Sequence, residues 1–346
     1  MAERGPPCYP LVMPESGLPK FFVDLGSWYG VEALAVGHAL GLRSALTQAP
    51  GTVAEIADRA GADERSTATW LGAMTAAGYA THDRGVYEAD SDQLPFLVGA
   101  VPSVDTIALL DFVLAMGVRV PAVIEALRTG QDPVPDLFGN EFSDAVGRVN
   151  APLYVESLTA DWLAADAGLT SLLAAGALVV DLGCGDGAAV RLMSQAFPDS
   201  TFVGVDRDSV ALSRARDSAP ANVSFQETLP GTFDVLTILD SFHHLSDPYG
   251  LLAEIRAGLR PGGVLVIAES AYDGDVDADA RSPFGTIGFA CALLYCDVEG
   301  RRRGVPMPIS PQDGGIALRR ALSDAGFRTV ATHDGAGGFR VYFGRH

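Results

Sequence analysis

Lysine is almost missing from this chain: Lys20 stands alone beside 23 arginines, and the 24 basic residues face 43 acidic ones, for a net charge of −19. A surface with that excess of acid repels phosphate backbones and anionic lipid headgroups, which counts against nucleic acid and membrane surfaces as partners. Cysteine is also scarce. Its four residues (Cys8, Cys184, Cys291 and Cys296) form no C-x-x-C pair, which excludes a disulfide framework and a cysteine-rich zinc module and fits free thiols in a reducing compartment. No set of carboxylates and histidines stands at metal-ligand spacing, so no catalytic metal is expected. Long apolar runs are missing too, and the opening "MAERGPPCYP" lacks the basic-then-apolar order of a secretory signal, so the chain is expected to be cytoplasmic.

What is present is ample core material: 48% hydrophobic residues over 346 positions, enough for two or three packed units. In residues 1–100, "VEALAVGHALGLRSAL" carries helical spacing and predicts one helix that stops near Pro50. "TVAEIADRAG" opens with Thr52 and Glu55 at capping-box spacing, "DERSTATWLGAMTAAG" closes at Gly78, and "YATHDRGVYEAD" reads as two short strands around Asp83–Gly85. Three helices and a hairpin make a winged helix. DNA-reading versions bring basic side chains on the third helix, but here that helix offers Arg65 beside Asp63 and Glu64, so dimerisation is the expected role. Phe21, Phe22, Trp28 and Tyr29 supply apolar surface for a homodimer.

Residues 101–170 read as a helical connector, broken by the loop-like "TGQDPVPDLFGNEF", that contributes to a substrate cavity. Tyr154 and Trp162 lie eight apart on one helix and so share a face; core packing is the favoured reading of Trp162, with a cavity wall as its alternative, whereas Tyr154 is a cavity-wall candidate because its hydroxyl needs a partner. From 171 to 346 the period changes. "LVVDL", "TFVGVD", "VSF", "FDVLTIL" and "GVLVIAES" alternate with helical stretches, which predicts an α/β, doubly wound, mostly parallel sheet with its ligand crevice beyond the strands' carboxyl ends. "FRTVATHDGAGGFRVYFG" predicts an antiparallel strand pair at one edge.

The chemistry concentrates in "VVDLGCGDG", Val179–Gly187. Gly183, Gly185 and Gly187 follow a predicted strand and precede a predicted helix, and Gly183, Gly185 and Ala188 also satisfy the dinucleotide-binding pattern. Asp181 decides between ligands: its carboxylate would repel a pyrophosphate over the turn and attract an ammonium. Asp206 ends the next strand 21 residues after Gly185, where an acid accepts hydrogen bonds from both ribose hydroxyls. A nucleoside with an amino-acid arm satisfies both.

These residues resemble the first motif and second-strand acid of class I S-adenosylmethionine-dependent methyltransferases, and "FDVLTILDSFHHLSDP" and "LRPGGVLVIAES" resemble the segments that follow. With the winged-helix stretch, the chain is similar to small-molecule O-methyltransferases whose N-terminal domain dimerises. The resemblance implies a seven-stranded Rossmann-like methyltransferase fold and S-adenosylmethionine as cofactor. It implies cofactor contacts at Asp181, Gly183, Gly185, Gly187, Asp206, Arg207, Glu227, Thr228, Asp240 and Ser241. On the plant-type pattern His243 takes the place of the base and His244 stands where an acid is usual; His244 is expected to meet the acceptor, and Glu269 to orient either the His243 ring or the acceptor. The implied reaction is methylation of a small, largely apolar acceptor, at oxygen, in bacterial secondary metabolism. C- or N-methylation, a non-methylating enzyme of the same fold, a winged-helix ligand-sensing regulator and a nicotinamide dehydrogenase stay open as rivals.

Overall fold

The computed structural model describes residues 18–102, 104–130, 137–245, 247–282, 284–302 and 311–345. Cys8 and positions 131–136 of the expected loop lie outside them. The chain divides into two compact units at Val101/Pro102.

The first unit holds α1 (Lys20–Ala39), α2 (Leu42–Gln48), α3 (Val53–Ala60), α4 (Glu64–Ala76), the hairpin β1 (Ala80–Asp83) and β2 (Val86–Ala89), and the short α5 (Leu94–Val98). The single helix expected for "VEALAVGHALGLRSAL" is two, because Gly41 adopts a left-handed backbone (φ 73°) that closes α1 and opens α2. Thr52 and Glu55 form the capping box, each side chain bonding the other's backbone amide. Leu42, Leu46, Ile56, Trp70, Leu71 and Met74 make the core. Trp70 donates its indole hydrogen to the Ala33 carbonyl at 2.8 Å. In the first half of α1, by contrast, Phe21 (69% exposed), Phe22, Trp28 and Tyr29 (62%) face solvent within this chain.

The second unit opens with α6 (Thr106–Gly117), α7 (Val120–Thr129) and α8 (Asn140–Leu153). Pro152 inside α8 removes a backbone donor, and the ladder widens at once into a π-helical stretch, Tyr154–Trp162. Then come α9 (Ala167–Ala174), β3 (Leu178–Leu182), α10 (Ala188–Ala196), β4 (Thr201–Val205), α11 (Ser209–Asp217), β5 (Val223–Gln226) and β6 (Phe233–Leu239). The chain ends through α12 (Pro248–Gly258), β7 (Leu259–Ser270), α13 (Val276–Asp279), α14 (Gly285–Cys291), α15 (Asp297–Arg302), α16 (Ile316–Asp324), β8 (Thr329–Gly335) and β9 (Phe339–Arg345).

The seven-stranded sheet has the order β5-β4-β3-β6-β7-β9-β8, with β9 antiparallel to both neighbours and the other pairs parallel. Period-two alternation loads both faces. Val179, Phe202, Val235 and Val266 pack with Leu169, Leu173, Val190 and Met193, whereas Val180, Val203, Leu236 and Leu265 pack with Leu252, Ile255, Leu318 and Leu322. The winding reverses between β3 and β6, so a crevice opens beyond their carboxyl ends.

Of the two readings of Trp162, the structure takes the core one. Trp162 does meet the ring of Tyr154 edge-on, but it is fully buried, lies against Phe339 at 5.0 Å and donates to the Ala336 carbonyl; it supports the wall and does not line the cavity. Among the described residues no single helix is long and apolar enough to cross a membrane.

Candidate active site

The β3–α10 turn is shaped by positions that admit no side chain. A Cβ on Gly183 would sit 2.6 Å from the Ser241 hydroxyl, and one on Gly187 would sit 2.6 Å from the Phe225 ring; both have positive φ. The Asp206 carboxylate, just past β4, is locked into this turn by the amides of Gly185 (2.9 Å) and Asp208 (2.9 Å). Asp181 lies within β3 and is 3% exposed, accepting a 2.5 Å hydrogen bond from Thr237 on the adjacent β6. Burial, with the negative charge of Asp206 adding to it against the Thr237 bond, raises the Asp181 pKa to about 7.

Beyond β6 the backbone is strained. Asp240 adopts φ 52°, a region that few non-glycine residues enter, with its amide bonded to the Ala268 carbonyl. Its carboxylate accepts from Asn150 of α8 at 3.1 Å, and burial raises its pKa. Tyr154 is hydrogen-bonded to the same asparagine; burial, then the charges of Asp240 and Asp181, hold its hydroxyl protonated far above the usual range.

The turn Phe242–His244 follows. Glu269, 4% exposed near the end of β7, accepts the Phe242 amide on one oxygen (2.8 Å) and faces His243 Nδ1 with the other (2.6 Å). That contact makes Nδ1 the donor and leaves Nε2 directed away from the carboxylate, 3.7 Å from the Cys296 sulfur. Burial alone would lower the imidazole pKa; the Glu269 charge and the bonds to Cys296 and Glu269 outweigh it and raise the value well above 6.5.

A cavity of about 1170 Å³ joins these parts. One end is walled by Asp181, Gly183–Asp186, Asp206, Arg207, Asp240 and Ser241. The other is walled by Phe112, Phe138, Tyr154, His243, His244, Tyr272, Ile287, Cys291, Tyr295 and Cys296, so it is mainly aromatic and apolar with a few polar groups. Position along the chain shows no metal cluster, yet in space the ligand atoms of His243, His244 and Cys296 lie within 4.8 Å of one another.

Residues 158–332 match the family model of the methyltransferase domain, and residues 32–94 match an Rv2258c-like winged HTH domain. The chain belongs to the S-adenosylmethionine-dependent methyltransferases. A trans-aconitate 2-methyltransferase of Deinococcus radiodurans is 38% identical over 95 residues, 26% of this chain and 37% of that protein. A ubiquinone biosynthesis O-methyltransferase of Pseudomonas aeruginosa is 28% identical over 127 residues, 34% and 53% of the two chains. The matched segment is thus about a third to a half of each relative. Solved structures match nearly throughout: human N-acetylserotonin methyltransferase in complex with S-adenosylmethionine (20% identity, TM-score 0.67, 96% and 99% covered) and an O-methyltransferase family protein of Burkholderia thailandensis (18%, 0.68, 94% and 97%). At such identities they speak for the shared fold.

The cofactor of this methyltransferase fits the first end of the cavity on its own geometry. Asp206 would hold the ribose, the glycine turn would accept the close approach, and the buried Asp181 would favour a positively charged amino group, which in turn favours its ionised form. Asp181, Gly183, Gly185, Asp206, Arg207, Asp240 and Ser241 are brought together there. Gly187 is set one step behind the wall, capping α10. Glu227 and Thr228 are not brought in. Both are exposed beyond β5, the edge strand, where the Thr228 carbonyl accepts from Gln226. Glu269 does not line the cavity; of its two expected roles, orienting the His243 ring or the acceptor, the structure shows the contact with the ring. Asn150 and Cys296 escape a reading by spacing, because each meets its partner, Asp240 or His243, only through the tertiary fold.

Replacing Asp206 with Ala removes charge-assisted bonds of roughly 1.5–3 kcal/mol and is expected to weaken S-adenosylmethionine binding about ten- to a hundredfold. Isothermal titration calorimetry checks this; unchanged affinity in a folded variant would contradict the assignment.

Proposed function

We propose that this chain transfers the methyl group of S-adenosylmethionine to a hydroxyl oxygen of a small, largely apolar acceptor, with His243 as the general base. The observation that carries the reading is the 2.6 Å contact between Glu269 and His243 Nδ1, which leaves Nε2, beside the Cys296 sulfur, as the basic atom of a ring that lines the cavity. The cofactor supplies an activated methyl on a positively charged sulfur. The protein's part is alignment and proton removal. Phe112, Phe138 and Tyr295 offer flat apolar surface to an acceptor, and Tyr154 and Tyr272 offer hydroxyls that orient it. Neutral Nε2 takes the acceptor's proton as the new bond to oxygen forms, and Glu269 stabilises the resulting imidazolium.

The same reading makes the chain a homodimer through the first unit. Phe21, Phe22, Trp28 and Tyr29 form an apolar stripe on α1 that a second copy would cover, whereas the start of α4, with Asp63 and Glu64 beside Arg65, offers little to DNA. Light scattering at micromolar concentration is expected to give a dimer for the wild type and a monomer for a Phe21→Asp, Tyr29→Asp double variant. A wild-type monomer would contradict the proposal.

His243→Gln is expected to slow transfer by roughly 10²- to 10⁴-fold with cofactor affinity nearly unchanged, since the base acts in the transition state. Less than about a fivefold loss would remove histidine base catalysis and favour an acceptor that is already nucleophilic at carbon or nitrogen. The pH profile follows from the direction of the shift. Only the neutral ring accepts a proton, and Glu269 and Cys296 raise its pKa against burial, with Asp240 and His244 also facing it. The rate should therefore rise with pH along a limb that lies above 6.5, and Glu269→Gln should move that limb to lower pH. A wild-type limb below 6.5 would contradict the assignment.

A further inference from the structure

We propose that His243, His244 and Cys296 form a binding site for a thiophilic divalent ion of the zinc type at the acceptor end of the cavity, and that an ion bound there blocks methyl transfer. Tetrahedral coordination with bonds of about 2.0–2.3 Å sets neighbouring ligand atoms roughly 3.6 Å apart. The Cys296 sulfur and His243 Nε2 are already 3.7 Å apart, and the three ligand atoms all lie within 4.8 Å of one another, so closure needs small rotations.

Three further features support the site. The Glu269 carboxylate on Nδ1 is the arrangement that orients a metal-ligating imidazole and raises its basicity. The ring of His244 lies 4.1 Å from that of His243 and 4.9 Å from that of Tyr295, tilted against both, so the two imidazoles are held in one packed cluster of rings. All three ligands line the cavity, so an ion can enter. A sulfur and two imidazole nitrogens select zinc-type ions over magnesium and calcium. A second trio, Asp240, His243 and Glu269, is also close, but Glu269 already accepts the Phe242 amide and the imidazole, which favours the sulfur-containing set.

On binding, the Cys296 thiol loses its proton to solvent and the thiolate and both imidazoles donate electron pairs to the ion. The lone pair of Nε2 is then no longer open to an acceptor's proton. This blocking effect rests on the reading of His243 as base; the binding does not.

The test is a titration of the chelator-treated full-length protein with Co²⁺, followed by absorbance. A near-ultraviolet sulfur-to-cobalt band that saturates at one equivalent and is bleached by Zn²⁺ is expected. Cys296→Ser should abolish the band, Cys291→Ser should keep it, and His244→Asn should weaken Co²⁺ binding at least tenfold. Circular dichroism establishes that each variant is folded. No band in the wild type, or a band that survives Cys296→Ser, would overturn the site. In a turnover assay with the wild type, Zn²⁺ at a saturating level should stop methyl transfer and EDTA should restore it. A saturated band with undiminished turnover would leave the site standing and overturn the blocking effect together with the base assignment.

Discussion

The contact between Glu269 and His243 is the interaction on which the active end of this molecule depends. A carboxylate that is 4% exposed is costly unless its oxygens are satisfied, and here one oxygen takes the Phe242 amide and the other faces the imidazole. Those bonds tie the turn after β6 to the end of β7. Glu269 is fixed in its turn because β7 is flanked by β6 and β9, where it stands opposite Arg340. The sheet thus sets the acid, the acid sets the ring, and the ring sets the direction in which a proton can leave. A histidine on a free loop would offer none of this.

The other end of the cavity follows a related rule with the opposite chemistry. Asp181 is buried and Asp240 half-buried, and desolvation together with neighbouring negative charge raises both pKa values, for Asp240 against the opposing pull of His243. A cation placed beside them favours their ionised forms, while an anion would be opposed, so the electrostatics of the walls select positively charged ligands before any specific contact is made. The strained backbone of Asp240 is held by the amide bond to Ala268 and by Asn150, which places it where β3 and β6 diverge.

Much of this was legible in the sequence, for local reasons. Short continuous apolar runs predict strands because both sheet faces must be apolar, the glycines after "VVDL" mark a turn whose backbone has no room for side chains, and an acid at the end of "VGVD" falls where the fold needs one. What stayed hidden depends on long-range packing or on subtle backbone choices. Gly41 splits a helix whose apolar period runs straight through it, and Pro152 is followed by a π-helical stretch that no helical spacing announces. Helical spacing leaves Trp162 open between core and cavity wall, and Phe339, 177 positions later by their numbers, is the packing partner that spacing does not name. Glu227 and Thr228 are carried by the family pattern, yet the edge strand leaves them in solvent. The meeting of Cys296 with His243 is wholly a product of the fold.

The central claim, that Glu269 fixes His243 with Nδ1 as donor and Nε2 as the basic atom, is tested most directly by nitrogen-15 NMR of the imidazole across pH. The neutral form is expected to be protonated at Nδ1, with a titration midpoint above 6.5 that falls in Glu269→Gln. A neutral ring protonated at Nε2, or a midpoint below 6.5 in the wild type, would contradict it.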